Sequence, residues 1–189
     1  LHGPPGTGKT SLIAILASEL DLNIATTTYN KRTTPDLILS KLPKRSILVV
    51  EDIVPEDSSS PETSRDFAGF LAFLDGISRN EVMLNILNTN LRQRLDPLLT
   101  RPGRIDLEVE FDYMKRKEMA AMVKLFCQQD AQDHCEFLDA ICKIPHVSPA
   151  QLQQHLLRCE MDGVDLLESV PQLRELCSDH ADAHHTLMY

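Results

Sequence analysis

The chain has 189 residues, 42% apolar and 25% charged, an ordinary globular composition with room for one domain and a small satellite. Its net charge is −9, with 16 acidic and 12 basic side chains in residues 1–112 and 12 and 7 in residues 113–189. Neither part offers the basic surface that a phosphate backbone requires, so nucleic acid is not an expected partner. No apolar run reaches the length of a membrane span.

The chain opens on Gly3-Pro4-Pro5-Gly6-Thr7-Gly8-Lys9-Thr10, which fits the phosphate-loop pattern G-x-x-x-x-G-K-S/T. Glycines let backbone approach a polyphosphate closely, successive N–H groups form an anion nest, and the following helix directs its positive end at the phosphates. Lys9 is expected at the β and γ phosphates and Thr10 on Mg²⁺, with Ser11 in the same first turn. Leu12, Ile13, Leu16, Ala17 and Leu20 recur at helical spacing, so residues 9–20 supply the helix that the loop needs. Of the preceding strand only Leu1 and His2 remain, and with no initiating Met the chain is expected to be a fragment. A vacancy in the sheet is therefore expected beside the strand that ends at Asn88–Asn90.

Residues 22–29 are rich in β-branched side chains and read as a strand, and Pro35 to Leu42 as a short helix behind the Thr34 cap. Ser46-Ile47-Leu48-Val49-Val50-Glu51-Asp52 reads as a strand buried on both faces and ending in two carboxylates. Beside a phosphate loop, one such carboxylate holds the metal's hydration shell and the other polarises the attacking water. Residues 54–65 read as a loop. Phe67, Phe70, Leu71 and Leu74 fall on one face of a helix over 66–77. A strand over 82–87 leads to Asn88-Thr89-Asn90, a helical turn at 96–99 leads to Arg101-Pro102-Gly103-Arg104, and a further strand covers 105–111. From Lys115 the period is helical, predicting helices over 115–129, 133–143 and 148–159, the last with Ser148-Pro149 as its start. Residues 171–189 are expected to be a weakly structured tail.

Five cysteines, at 127, 135, 142, 159 and 177, show no C-x-x-C and read as reduced, mostly buried thiols. Cys177, His180 and His184 have ligand-like spacing but lack a fourth partner, and are read as incidental.

Strands alternating with helices predict an α/β fold with a parallel sheet, and the late helices a small lid. The expected division is an α/β nucleotide-binding part over 1–112, an α-helical lid over 113–170 and the tail.

The order of motifs carries a resemblance. A phosphate loop, an acidic-ended strand, a strand-end Asn and Leu95-Asp96-Pro97-Leu98-Leu99-Thr100-Arg101-Pro102-Gly103-Arg104-Ile105-Asp106 together resemble the core of an AAA ATPase. Leu42-Pro43-Lys44-Arg45-Ser46, Phe67-Ala68-Gly69 through Leu74-Asp75-Gly76, and Ser148-Pro149-Ala150-Gln151-Leu152-Gln153 resemble a narrower branch. That branch is the Bcs-type mitochondrial chaperones, which complete respiratory complex III by moving the folded Rieske iron–sulfur protein. The likeness implies a P-loop NTPase three-layer sheet, its first strand largely missing here. It also implies ATP and Mg²⁺ as ligands, a homo-oligomeric ring, a protein cargo, and a matrix-facing position at the mitochondrial inner membrane through an anchor outside this sequence.

Residue by residue, the resemblance makes Asn90 the polar sensor near the γ-phosphate, and Arg101 and Arg104 arginine fingers acting on a neighbour's nucleotide. Asp52 is assigned to water activation and Glu51 to the metal through water, with the reverse assignment open. Val54, Ala72 and Asn88 depart from the family pattern, which bears on the subunit interface and pore. Two functions follow: an ATP-driven chaperone motor, or a hydrolysis-deficient nucleotide-binding scaffold of the same fold. A small-molecule kinase or GTPase shares the loop but leaves the R-P-G-R motif unexplained.

Overall fold

The structure, a computed structural model, describes residues 1–28, 42–51, 84–90, 92–95, 99, 104–127 and 134–186. The helices expected over 35–42 and 66–77 and the loop 54–65 lie outside the described residues. The chain divides into two compact units, one of Leu1–Gly3 with Lys9–Phe111, the other of Pro4–Gly8 with Asp112–Tyr189.

In the first unit, helix α1 (Lys9–Glu19) is followed by strands β1 (Asn23–Thr28), β2 (Ser46–Glu51) and β3 (Leu84–Asn88) and a 3₁₀ turn at Arg92–Arg94. The strands form a parallel sheet in the order β1-β2-β3, with Thr28 opposite Glu51 and Glu51 opposite Asn88. The run Ile47-Leu48-Val49-Val50 is buried throughout, as its unbroken hydrophobicity predicts for a central strand. Because side chains alternate along a strand, Ile47 and Val49 fall on one face, where they pack with Ile86 against Ile13 and Ala17 of α1. Burying each such aliphatic side chain is worth about 1.5–3 kcal/mol, enough to fix α1 on the sheet.

Beyond β3 the sheet continues for only two residues. Thr89 N–H donates to the Leu1 carbonyl (3.1 Å), and His2 bridges Thr89 on one side and Glu110 on the other. Among the described residues, Leu1 and His2 alone occupy that side of β3. The strand expected over 105–111 is reduced to the bridge at Glu110.

The second unit contains helices α2 (Arg116–Cys127), α3 (Cys135–Ile141), α4 (Pro149–Asp162) and α5 (Val170–Thr186) around one core. Here the expectation for the tail is corrected: residues 170–186 form a helix. Val170, Leu173 and Cys177 are buried in the same cluster as Val123, Ile141 and Leu152, so tertiary packing stabilises a segment whose exposed face is polar. The thiols are also more open than expected. All five cysteines are free, but only Cys159 and Cys177 are buried, while Cys135 and Cys142 are exposed. Among the described residues no helix is long and apolar enough to cross a membrane.

Candidate nucleotide site

The phosphate loop adopts the backbone that its glycines permit. Gly3, Gly6 and Gly8 have φ of 136°, 73° and 100°, all in the region that L side chains rarely enter. At Gly3 the space is closed as well, since a Cβ there would lie 2.0 Å from the Phe111 carbonyl oxygen. Thr7, itself buried, donates its hydroxyl to the Pro4 carbonyl (2.7 Å) and staples the turn, while Pro5 and Gly6 are exposed.

Lys9 begins α1. It is 6% exposed, and its Nζ donates to the Gly3 carbonyl (2.7 Å), which folds the side chain back along the loop. Burial lowers its pKa from 10.5, because desolvation penalises the ammonium. Thr10 and Ser11 follow in the first turn with exposed side chains. A helix of eleven residues thus begins directly after the glycine-rich loop in the chain, the order of elements that serves polyphosphate binding.

Glu51 is the last residue of β2 and is half-buried. Asn90 follows the end of β3 and is exposed. The register Glu51–Asn88 puts Glu51 and Asn90 at the same carboxyl edge of the sheet, and the bridge of His2 to Thr89 brings the entry of the phosphate loop to that edge. In parallel α/β sheets this is the edge where ligands bind. Arg104 lies in an exposed turn. Asp52 and Arg101 fall outside the described residues.

The residues present fit a magnesium nucleotide. The positive φ at Gly3, Gly6 and Gly8 is the backbone conformation that an anion nest requires, Lys9 is a desolvated cation at the next position of the chain, and Thr10 and Glu51 are oxygen donors of the hard type that Mg²⁺ takes. No group of three or more His, Cys, Asp or Glu able to hold a metal occurs among the described residues.

Residues 1–113 match the family described as "ATPase family associated with various cellular activities (AAA)". The chain belongs to the AAA family. AAA proteins bind nucleotide and usually oligomerise, and the parallel sheet with its helices is consistent with the α/β fold of this class. Among curated relatives, the chain is similar to the mitochondrial chaperone BCS1 of Danio rerio (28% identity over 93% of this chain and 46% of the relative). It is also similar to BCS1 of Homo sapiens (30%, 92% and 46%) and to an AAA-ATPase of Arabidopsis thaliana (33%, 87% and 40%). The chain spans less than half the length of these relatives.

Two contacts near these residues were not singled out from the sequence. One lies inside the second unit, where the Ala150 N–H at the start of α4 donates to the Gly6 carbonyl (3.1 Å). A Cβ on Gly6 would come within 3.1 Å of both the Ala150 Cβ and the Ser148 Oγ. Ser148-Pro149 signals a helix start, but nothing in that signal says what the start rests on. The other is the pair Arg92 and Glu108. Arg92 Nε donates to Glu108 Oε1, its Nη2 lies 3.5 Å from Oε2, and His2 Nε2 lies 3.0 Å from the same carboxylate. The Arg92 guanidinium holds the Glu108 carboxyl below its ordinary range.

Proposed function

We propose that this chain is the ATP-hydrolysing core of a ring-forming AAA chaperone, with residues 1–112 as the nucleotide-binding part and the helices after residue 112 as its lid. The observation that carries the reading is the phosphate loop: three glycines at positive φ followed by a buried Lys9 at the start of α1. Residues Gly3 to Ser11 bind the ATP phosphates through backbone N–H groups, with Lys9 as the cation. Thr10 and Glu51 hold Mg²⁺, Glu51 through water. When bound, the ion neutralises charge on the transferred phosphate.

Asp52 accepts a proton from the attacking water and Asn90 orients that water, releasing ADP and phosphate. Arg101 and Arg104 reach the nucleotide of the neighbouring subunit. An arginine so placed is typically worth 10³–10⁵ in rate, so hydrolysis belongs to the assembly. The likeness to relatives named mitochondrial chaperone supports a mitochondrial site; the matrix-facing position at the inner membrane and the folded protein cargo, the Rieske iron–sulfur protein, are proposed from the resemblance of the motifs alone.

A scaffold that binds nucleotide without hydrolysing it is the second reading, resting on the departures of Val54, Ala72 and Asn88 from the family pattern. Parallel measurement of ATP binding and turnover separates the two readings. Lys9→Ala is expected to lose both, whereas Asp52→Asn keeps binding and loses turnover by at least about a hundredfold, in line with removal of a general base. A wild-type protein that binds ATP tightly and never turns it over supports the scaffold.

A further inference from the structure

Leu1 and His2 serve as a shared template in the first unit. On one side the end of β3 is registered on them, through Thr89 N–H to the Leu1 carbonyl (3.1 Å). On the other side lies the segment that follows Arg104. His2 N–H donates to the Val109 carbonyl (3.1 Å), and Phe111 N–H donates to the His2 carbonyl (2.8 Å). The sensor residue Asn90 and the finger residue Arg104 are thus on two segments held to the same two residues. Arg92, two positions after Asn90, reaches Glu108, four positions after Arg104, and closes the connection with a forked side-chain contact. His2, whose side chain is only 13% exposed, makes the third contact to that carboxylate.

An isolated surface ion pair contributes little, but a forked arginine–carboxylate contact within a three-member network fixes geometry as well as charge. We propose that Glu108, held by Arg92 and His2, is a positioning residue. It sets the finger segment in register with the sensor strand, so that what Asn90 meets at its own nucleotide is passed to the arginine offered to the neighbour. This rests on the proposed trans-acting role of Arg104. The partners of Glu108 tie it to the sensor strand and the loop entry, not to phosphate, so its effect is on turnover at the adjacent site.

The test is subunit mixing in the assembled full-length protein. Glu108→Gln is expected to assemble and to bind ATP with unchanged affinity. Its kcat should fall about ten- to a hundredfold, the size of effect that a misplaced catalytic group produces, with KM unchanged. Lys9→Ala subunits bind no nucleotide but carry an intact finger segment. Mixed with Glu108→Gln subunits, they should restore turnover at the sites they flank. Arg92→Ala, which leaves the His2 contact, is expected to be complemented in the same way and serves if Glu108→Gln proves unstable. A mixture no more active than its two components apart would overturn the inference, as would a rise in KM at unchanged kcat. Arg104→Ala is the control. Full turnover in that variant removes the finger role itself, and the positioning role with it. Loss of turnover in Arg104→Ala without complementation of Glu108→Gln removes the positioning role alone.

Discussion

At Lys9 two requirements meet. The ammonium is taken out of water, which depresses its pKa from 10.5, yet phosphate binding needs the charged form. Below the depressed pKa the side chain is protonated and nucleotide affinity is flat with respect to this group. As pH rises through that pKa the charge is lost and the affinity with it. Titration of a fluorescent ATP analogue across the alkaline range should show a midpoint below 10.5. A midpoint at or above that value would mean that burial does not control the group. The loop residues around Lys9 were legible in the sequence because the motif constrains backbone directly: each glycine stands where φ is positive. Arg92 and Glu108 were not. Their pairing depends on two segments meeting at Leu1 and His2, and a run of alternating acids at 106, 108 and 110 gives no hint which of them has a partner.

Among the elements, β2 and α4 are the ones that their own residues specify most fully. β2 carries four consecutive apolar residues and is buried on both faces. α4 starts with a complete capping box, in which Ser148 Oγ accepts from Gln151 N–H and the Gln151 side chain accepts from Ser148 N–H (2.9 Å). It stops at Gly163 with φ 65°. α5 escaped detection although Val170, Leu173 and Cys177 lie at helical spacing, because a polar exposed face and Pro171 near the start weaken the pattern. α5 and the segment before it meet α4 at His155. Ser169 donates its hydroxyl to the Leu166 carbonyl (2.7 Å), so His155 Nε2 (2.9 Å away) donates to Ser169 Oγ. The ring stacks on Phe137 at 6.4 Å, and Cys159 Sγ lies 3.6 Å from the same nitrogen.

Burial first, and the nearby Arg158 charge second, lower the pKa of His155 from 6.5. The unfolded chain therefore binds the proton more readily than the folded one. Stability is complete above the unfolded pKa, falls as pH drops below about 6.5, and levels off once pH passes below the folded pKa. Thermal melting at decreasing pH should show this loss, and His155→Gln should flatten the part that this group contributes. An unchanged slope in the variant would place the acid sensitivity elsewhere.

For the whole molecule, fold class was readable because the phosphate loop, the acidic strand end and the R-P-G-R segment occur in one order, and residues 1–113 match the AAA family. Less readable was how far each strand runs, since strand length is set by partners. The described sheet has three strands, and of the segment 105–111 only Glu110 is bridged, to His2. The central claim of the proposed function also belongs to this scale: on that proposal a protomer lacks part of its own catalytic machinery, because its arginines serve a neighbour. The most direct measurement is ATP turnover per subunit against protein concentration in the full-length protein, with Arg101→Ala alongside and assembly followed by light scattering. Turnover per subunit should rise as assembly proceeds. In Arg101→Ala it should fall by about 10³-fold or more at full assembly, the lower bound for an arginine finger. Turnover per subunit that is independent of assembly, or an assembled Arg101→Ala protein as active as wild type, would contradict a site completed in trans.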